Sequence, residues 1–417
     1  MAQAQTSNTP PQSEFNATQK EQIDRNRTLE AQEVTERKQP GYEPLGIRLG
    51  AFMINPGLDI LATYTDNLYS SKDDKKSDFF ATINPSVYVQ SNWTAHQLEL
   101  WASGRFLRYL EYSDESTNNF DTYARGKFDI ARGSWVALRP FYTFDHETRG
   151  SPDAVTGGLE PIEVVTRGID FTAEHKPTRL WFTADASLKE MTFTNSLLAG
   201  GGVVNNADRD RREIAGGVRV GYELTPGYSA YVEGRANDRK YESAVDDLGY
   251  RRDSSGYETR LGAQVELTGK LKGFAYLGYL WQDYVDPRFE AVSGPVFGTG
   301  LTWNATGLTT VKVKAARSIE ETTINRAAGA LQNVFELSVD HELQRNIILS
   351  AGGKYTQQDF RGVDRNYDVY EANLKATYQI NRSYKITSGY TYNHRAANLA
   401  ASEYSANTVF VGFSSLF

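Results

Sequence analysis

The chain has no cysteine, which excludes structural disulfides, thiolate metal centres and cysteine nucleophiles together. Methionine is nearly as scarce, with 3 residues among 417, and histidine occurs 5 times. No apolar run approaches the roughly 20 residues that a membrane-crossing helix requires, and the mean hydropathy is −0.53. A helical membrane protein is therefore excluded, whereas a membrane protein built of strands is not. An excess of positive charge is also missing. Lys and Arg number 45 against 52 Asp and Glu, a formal charge of −7 that disfavours nucleic-acid partners. Against these absences stand 25 Tyr, 20 Phe and 35 Gly, a composition of strands and turns.

The two ends of the chain differ from each other. Residues 1–42 are dominated by Gln, Glu, Asn, Thr and Arg and carry too few apolar side chains to offset the entropy of ordering. They read as a flexible periplasmic tail, with a polar helix over Gln19–Arg37 that orders on a partner as the alternative. The opening Ala-Gln-Ala-Gln resembles the stretch beside a small-residue cleavage site and predicts a secretion signal already removed. At the other end, Val409, Val411 and Phe413 alternate toward a terminal Phe417, which resembles the closing strand of bacterial outer-membrane barrels.

Between the ends a period of two runs through residues 43–417. Phe120, Thr122, Ala124, Gly126, Phe128 and Ile130 share one face, and Asp121, Tyr123, Arg125, Lys127 and Asp129 the other. The same division recurs in Leu180–Lys189, Glu213–Leu224, Tyr257–Leu267 and Tyr370–Tyr378. Connections alternate as well. Short turns such as Arg132-Gly133-Ser134, Lys176-Pro177-Thr178 and Thr225-Pro226-Gly227 separate long polar loops such as Gly150–Pro161, Ser196–Asp210 and Ile319–Gly329. This short-long alternation predicts an all-β fold: a transmembrane antiparallel up-and-down outer-membrane barrel of about 18 strands, with short periplasmic turns and long extracellular loops. Trp93, Trp135, Trp181 and Tyr228 lie beside the short turns and Tyr69, Tyr112, Tyr142 and Tyr390 toward the loops, the places where aromatic girdles are expected.

A barrel of about that size encloses a water-filled or plugged lumen. The polar faces place Trp101, Arg105, Tyr123, Arg125, Lys127, Arg139, Tyr231, Arg235, Lys312 and Lys314 along it as candidates for a substrate path. Rings can stack on sugars while arginines and acids bond the hydroxyls; the competing reading is that these charges simply pair across the wall. No catalytic, cofactor or metal residue is assigned. Gly-x-Ser-x-Gly does not occur, and Asp73-Asp74 and Asp246-Asp247 lack the spacing of a calcium loop.

Gly46-Ile47-Arg48-Leu49-Gly50-Ala51-Phe52, then Tyr64-Thr65-Asp66-Asn67-Leu68-Tyr69, Lys76-Ser77-Asp78-Phe79, Asn84-Pro85-Ser86 and Gln90-Ser91-Asn92-Trp93, resemble the opening of the putative β-barrel porin 2 family. These motifs cover the start of the barrel; the rest is similar in pattern. The resemblance implies an outer-membrane channel that passes an exopolysaccharide, without catalysis or cofactor, beside a periplasmic polysaccharide-export protein met through the N-terminal tail. Lipid bilayer and lipopolysaccharide are the other expected partners. A general diffusion porin for small solutes and a closed anchoring barrel are the alternatives.

Overall fold

The structure, a computed structural model, describes residues 33–37, 41–155, 157–267 and 270–417. The expected tail, and the polar helix that is its alternative, lie mostly outside these residues. Among the described residues, eighteen long antiparallel strands form one sheet together with a three-residue strand, Ile47–Leu49, that folds back on the first of them. In chain order the long strands are β1 Phe52–Thr65, β2 Asp78–Ser91, β3 Gln97–Tyr109, β4 Asn118–Ala131, β5 Ser134–His146 and β6 Glu163–His175. There follow β7 Leu180–Phe193, β8 Arg211–Thr225, β9 Tyr228–Tyr241, β10 Ser254–Leu267, β11 Leu271–Tyr284 and β12 Val292–Thr306. The last six are β13 Thr309–Glu320, β14 Ala330–Gln344, β15 Ile347–Phe360, β16 Asn366–Gln379, β17 Tyr384–Ala397 and β18 Tyr404–Leu416. Each pairs with its chain neighbours, and β18 pairs with β1 from Gly57↔Leu416 to Thr65↔Thr408, which closes the barrel and leaves no free edge. Among the described residues the predicted architecture is observed, an antiparallel barrel of eighteen strands whose short and long connections alternate.

Alternation explains why these segments stay as strands. Val218, Leu261, Leu277 and Leu374 are 58%, 66%, 73% and 59% exposed. In water such an apolar surface would drive aggregation; in a bilayer it is the face that meets lipid. Arg167, Glu190, Arg212 and Lys240 stand in one outward register row at the loop end and mark where the apolar band stops. Tight connections close the opposite end. Gly133 and Gly227 there adopt φ of 73° and 83°, and a Cβ on either would meet a carbonyl oxygen at 2.5 Å, so only glycine makes the turn.

Two of the predicted girdle residues face the wrong way for that role. Trp93 and Tyr228 are exposed at the short-turn end, but Trp135 and Trp181 are 2% exposed and point inward. The reason is parity: Trp135 is one residue from outward Val136, and a one-residue step turns a side chain to the other face. At the loop end Tyr142 and Tyr390 are exposed, while Tyr69 and Tyr112 pack edge to face at 5.6 Å against the Leu68, Phe80, Leu107 and Tyr109 cluster beneath the loops. Inside, Trp181, Tyr231 and Tyr276 sit on β7, β9 and β11, and the strands between present glycines in the same register row. Each ring lies flat over its neighbour's glycine, where a Cβ at Gly221 or Gly262 would stand 2.1 Å from Trp181 or 2.3 Å from Tyr231. This interlock fills one side of the wall without a packed core across the barrel.

Candidate functional site: the lumen

The barrel encloses a cavity of about 1420 Å³, lined by inward residues of many strands and by three of the long loops. The sequence-predicted residues Arg105, Tyr123, Arg125, Arg139 and Arg235 all line it. Trp101 shares their inward face, with its ring 6.5 Å from that of Tyr88. Strand register turns these scattered aromatics into one feature. Tyr88 pairs with Trp101, Trp101 with Tyr123 and Tyr123 with Phe141, so four inward rings on β2 to β5 form a continuous arc at one level. The Arg139 guanidinium stands 5.9 Å from the Tyr123 centroid and 5.6 Å from that of Phe141. Sequence reasoning named two of the four rings. Tyr88 and Phe141 were missed, although counting every second residue back from Gln90 and forward from Arg139 finds both.

The charges around the arc are largely paired. Arg139 donates through Nε and Nη2 to Asp170 Oδ2 at 2.9 and 2.7 Å, Arg105 to Asp145 at 2.6 Å, and Arg125 lies 3.6 Å from Glu99. Farther round the wall, on β7 and β9, Arg235 grips Asp185 with two nitrogens at 3.0 and 2.8 Å and reaches Glu233 at 2.9 Å. Glu233 is 1% exposed and also holds Arg219 and Arg260 at 3.4 Å, so one carboxylate serves three guanidinium groups. Tyr231 belongs to this layer and not to the open path, covered by Arg219 at 4.3 Å. Lys127 is likewise buried, over Trp135 at 5.0 Å. Lys314 reaches toward Glu336 at 3.8 Å, and Lys312 is held by Glu33 at 2.6 Å and Asp340 at 3.9 Å.

Long loops fold inward over the extracellular mouth, which no sequence pattern disclosed. The loop between β13 and β14 meets the loop between β5 and β6, eight strands away around the barrel. Thr322 donates its hydroxyl to Asp153 Oδ1 at 2.8 Å, and the Thr323 backbone N–H reaches the same oxygen at 3.2 Å. Arg252 anchors the first of these loops through the carbonyls of Thr322, Ile324 and Ala327 at 2.9, 3.2 and 2.6 Å. Glu321 bonds Arg239 and the Tyr241 hydroxyl on the wall below. The second loop is fixed by Arg395, which donates to the Gly150 carbonyl at 2.8 Å, and by Arg209, paired to Glu147 at 2.8 Å. Burial pushes the Asp153 carboxyl above the usual range, with Arg209 opposing it.

His146 and His175 end strands, His96 stands in a turn, and His341 and His394 lie within strands. The register does bring Ser134 Oγ to 2.7 Å from His175 Nδ1, a serine–histidine contact that the sequence did not suggest; both residues lie on the outer face beside a short turn, away from the lumen.

The chain belongs to the family described as putative beta-barrel porin 2, whose model matches residues 39–415. It is thus an outer-membrane β-barrel of porin type. No curated protein matches it. Among solved structures it is similar to OpdL of Pseudomonas aeruginosa, at 13% identity and a TM-score of 0.46, covering 88% of this chain and 100% of that one. OccK2 (OpdF) of the same organism gives 9% identity and a TM-score of 0.49 over 87% and 98% of the two chains. OccAB3 of Acinetobacter baumannii gives 10% and 0.44 over 87% and 99%.

Proposed function

We propose that the barrel passes a secreted saccharide polymer across the outer membrane, without catalysis or cofactor. The observation that carries this reading is the arc of Tyr88, Trp101, Tyr123 and Phe141. Four rings at one level offer apolar faces to sugar rings, and Arg139, Arg125 and Glu99 beside them supply hydrogen bonds to hydroxyls. A periplasmic export partner would meet the channel at its short-turn face, and the outward row of Arg167, Arg212 and Lys240 suits the phosphates of lipopolysaccharide.

The even mixture of acids and bases in the lumen favours a second reading, a diffusion porin for small solutes. Single-channel current across a planar bilayer separates the two. Maltooligosaccharides or oligogalacturonate should block the saccharide channel reversibly. Replacing Trp101 and Tyr123 by Ala should weaken the block by about tenfold, at about 0.7 kcal/mol for each ring removed. A current indifferent to both sugars would reject the saccharide path in favour of the general porin.

A further inference from the structure

The periplasmic mouth carries its own occupant. Residues 33–37 lie against the inner ends of β11 to β14, where the Glu33 carboxylate sits 2.6 Å from Lys312 Nζ and 3.2 Å from Lys272 Nζ. Val34 is 1% exposed, and its backbone N–H donates to Thr310 Oγ1 at 3.0 Å. Arg37 donates to the Gly307 carbonyl and stands 3.6 Å from Glu342. Farther along, the Tyr42 carbonyl accepts from Gln379 Nε2 on β16 at 2.6 Å, after which Ile47–Leu49 joins β1. Residues 33–37 thus stand against the short-turn rim at β11 to β14, and residues 41–49 against it at β16 and β1.

The physical interest lies in what this segment would leave behind. Lys272 is 8% exposed, and among the described residues its ion-pair partner is Glu33 alone; Lys312 retains only Asp340, at 3.9 Å. A buried ammonium without a counter-charge is costly, so a vacated cradle selects another anion of similar size. We propose that Lys272, Lys312 and Thr310 form a carboxylate site at the periplasmic mouth, that Glu33 fills it at rest and holds residues 33–37 as a strap that narrows the opening from its rim, and that an acidic saccharide displaces the strap on entering. The last clause rests on the saccharide reading above; the strap itself does not.

The natural absence of cysteine makes the test direct. The double variant V34C/T310C should form a disulfide in the full chain, hold the conductance low, and give a higher conductance when reduced. In the single variant V34C, labelling by a maleimide should be slow, and E33Q should speed it about tenfold, the effect of one missing charge-assisted hydrogen bond. Oligogalacturonate on the periplasmic side should speed labelling of V34C in the same way, whereas maltooligosaccharide should not. A disulfide that fails to form in a barrel still folded by heat-modifiability on a gel overturns the placement of the strap. A disulfide that forms without altering conductance overturns its action as a closure, and labelling indifferent to oligogalacturonate overturns the carboxylate site. Loss of sugar block with the strap results intact would reject the saccharide reading alone.

Discussion

Asp153 and Thr322, 169 residues apart in sequence, meet over the lumen through a 2.8 Å hydrogen bond from the threonine hydroxyl to the aspartate carboxylate. The contact joins loops that rise from opposite regions of the wall, so it crosses the extracellular mouth instead of lining it. Its strength bears directly on how wide that mouth stands.

Replacing Thr322 by Val keeps the side-chain shape but removes the shorter of the two hydrogen bonds to Asp153 Oδ1, the Thr323 N–H remaining, at a cost of about 1–3 kcal/mol. The expected outcome is a wider or more often open mouth. Single-channel recordings should show larger mean conductance in T322V, with the barrel's resistance to heat in detergent unchanged. Equal conductance would mean that the two loops do not limit passage.

The two mouths should respond to acid with opposite signs. Burial raises the Asp153 carboxyl above its ordinary 3.8, with Glu147 reinforcing and Arg209 and the hydrogen bonds from Thr322 and Thr323 opposing, so the closed arrangement of the loops, which buries the group, favours its protonated form. The stabilisation of that closed arrangement is fully present below the ordinary value and fades as pH rises through the raised one. Burial also pushes Glu33 upward, but the Lys312 hydrogen bond and charge, with Lys272 assisting against Glu36, bring it below its ordinary 4.5. The inner ion pair is therefore intact above 4.5 and breaks as pH falls through the lowered value. Conductance titrated downward from neutral should first fall and then rise. D153N should remove the fall, and E33Q the rise.

Glu233→Gln leaves three arginines sharing a site without its carboxylate. Breaking a buried ionic cluster by removing one partner costs about 3–5 kcal/mol, and urea unfolding in detergent micelles should show a loss of that order. Asp185→Asn should cost less, because Arg235 keeps Glu233 at 2.9 Å. Equal losses would show that Glu233 is not the hub.

Gly221→Ala puts a methyl 2.1 Å from Trp181, within a wall that has no slack on that face. Overpacking of this kind costs about 1–3 kcal/mol. A smaller heat-resistant fraction on gels is expected, with recovery when Trp181→Ala is added. Normal assembly of the single variant would mean that the ring swings aside freely.

The barrel is legible in the sequence because each strand obeys a rule that acts locally. Period-two alternation decides which residues face lipid, and the short-long rhythm of connections decides strand number and direction; both survive in a bare string such as Phe120–Ile130. Parity also gives the inward placement of Arg105, Arg125 and Arg235. At Trp135 and Trp181 the same parity turns the rings inward, and it outweighs the nearness of a turn that suggested a girdle.

What the string could not supply is pairing between residues that no local rule connects. Register aligned Tyr88, Trp101, Tyr123 and Phe141 into one arc, and it set Gly221 beneath Trp181. Asp153, Thr322 and Glu33 belong to segments without alternation, whose paths follow from polar and charged groups seeking partners across the closed barrel, Glu33 finding its own in Lys272 and Lys312 on the wall. Sequence by itself determined the wall, because a wall repeats a two-residue choice between lipid and water. Only the tertiary structure decided the two mouths, because closing the wall is what brings distant carboxylates, hydroxyls and ammonium groups within reach of one another.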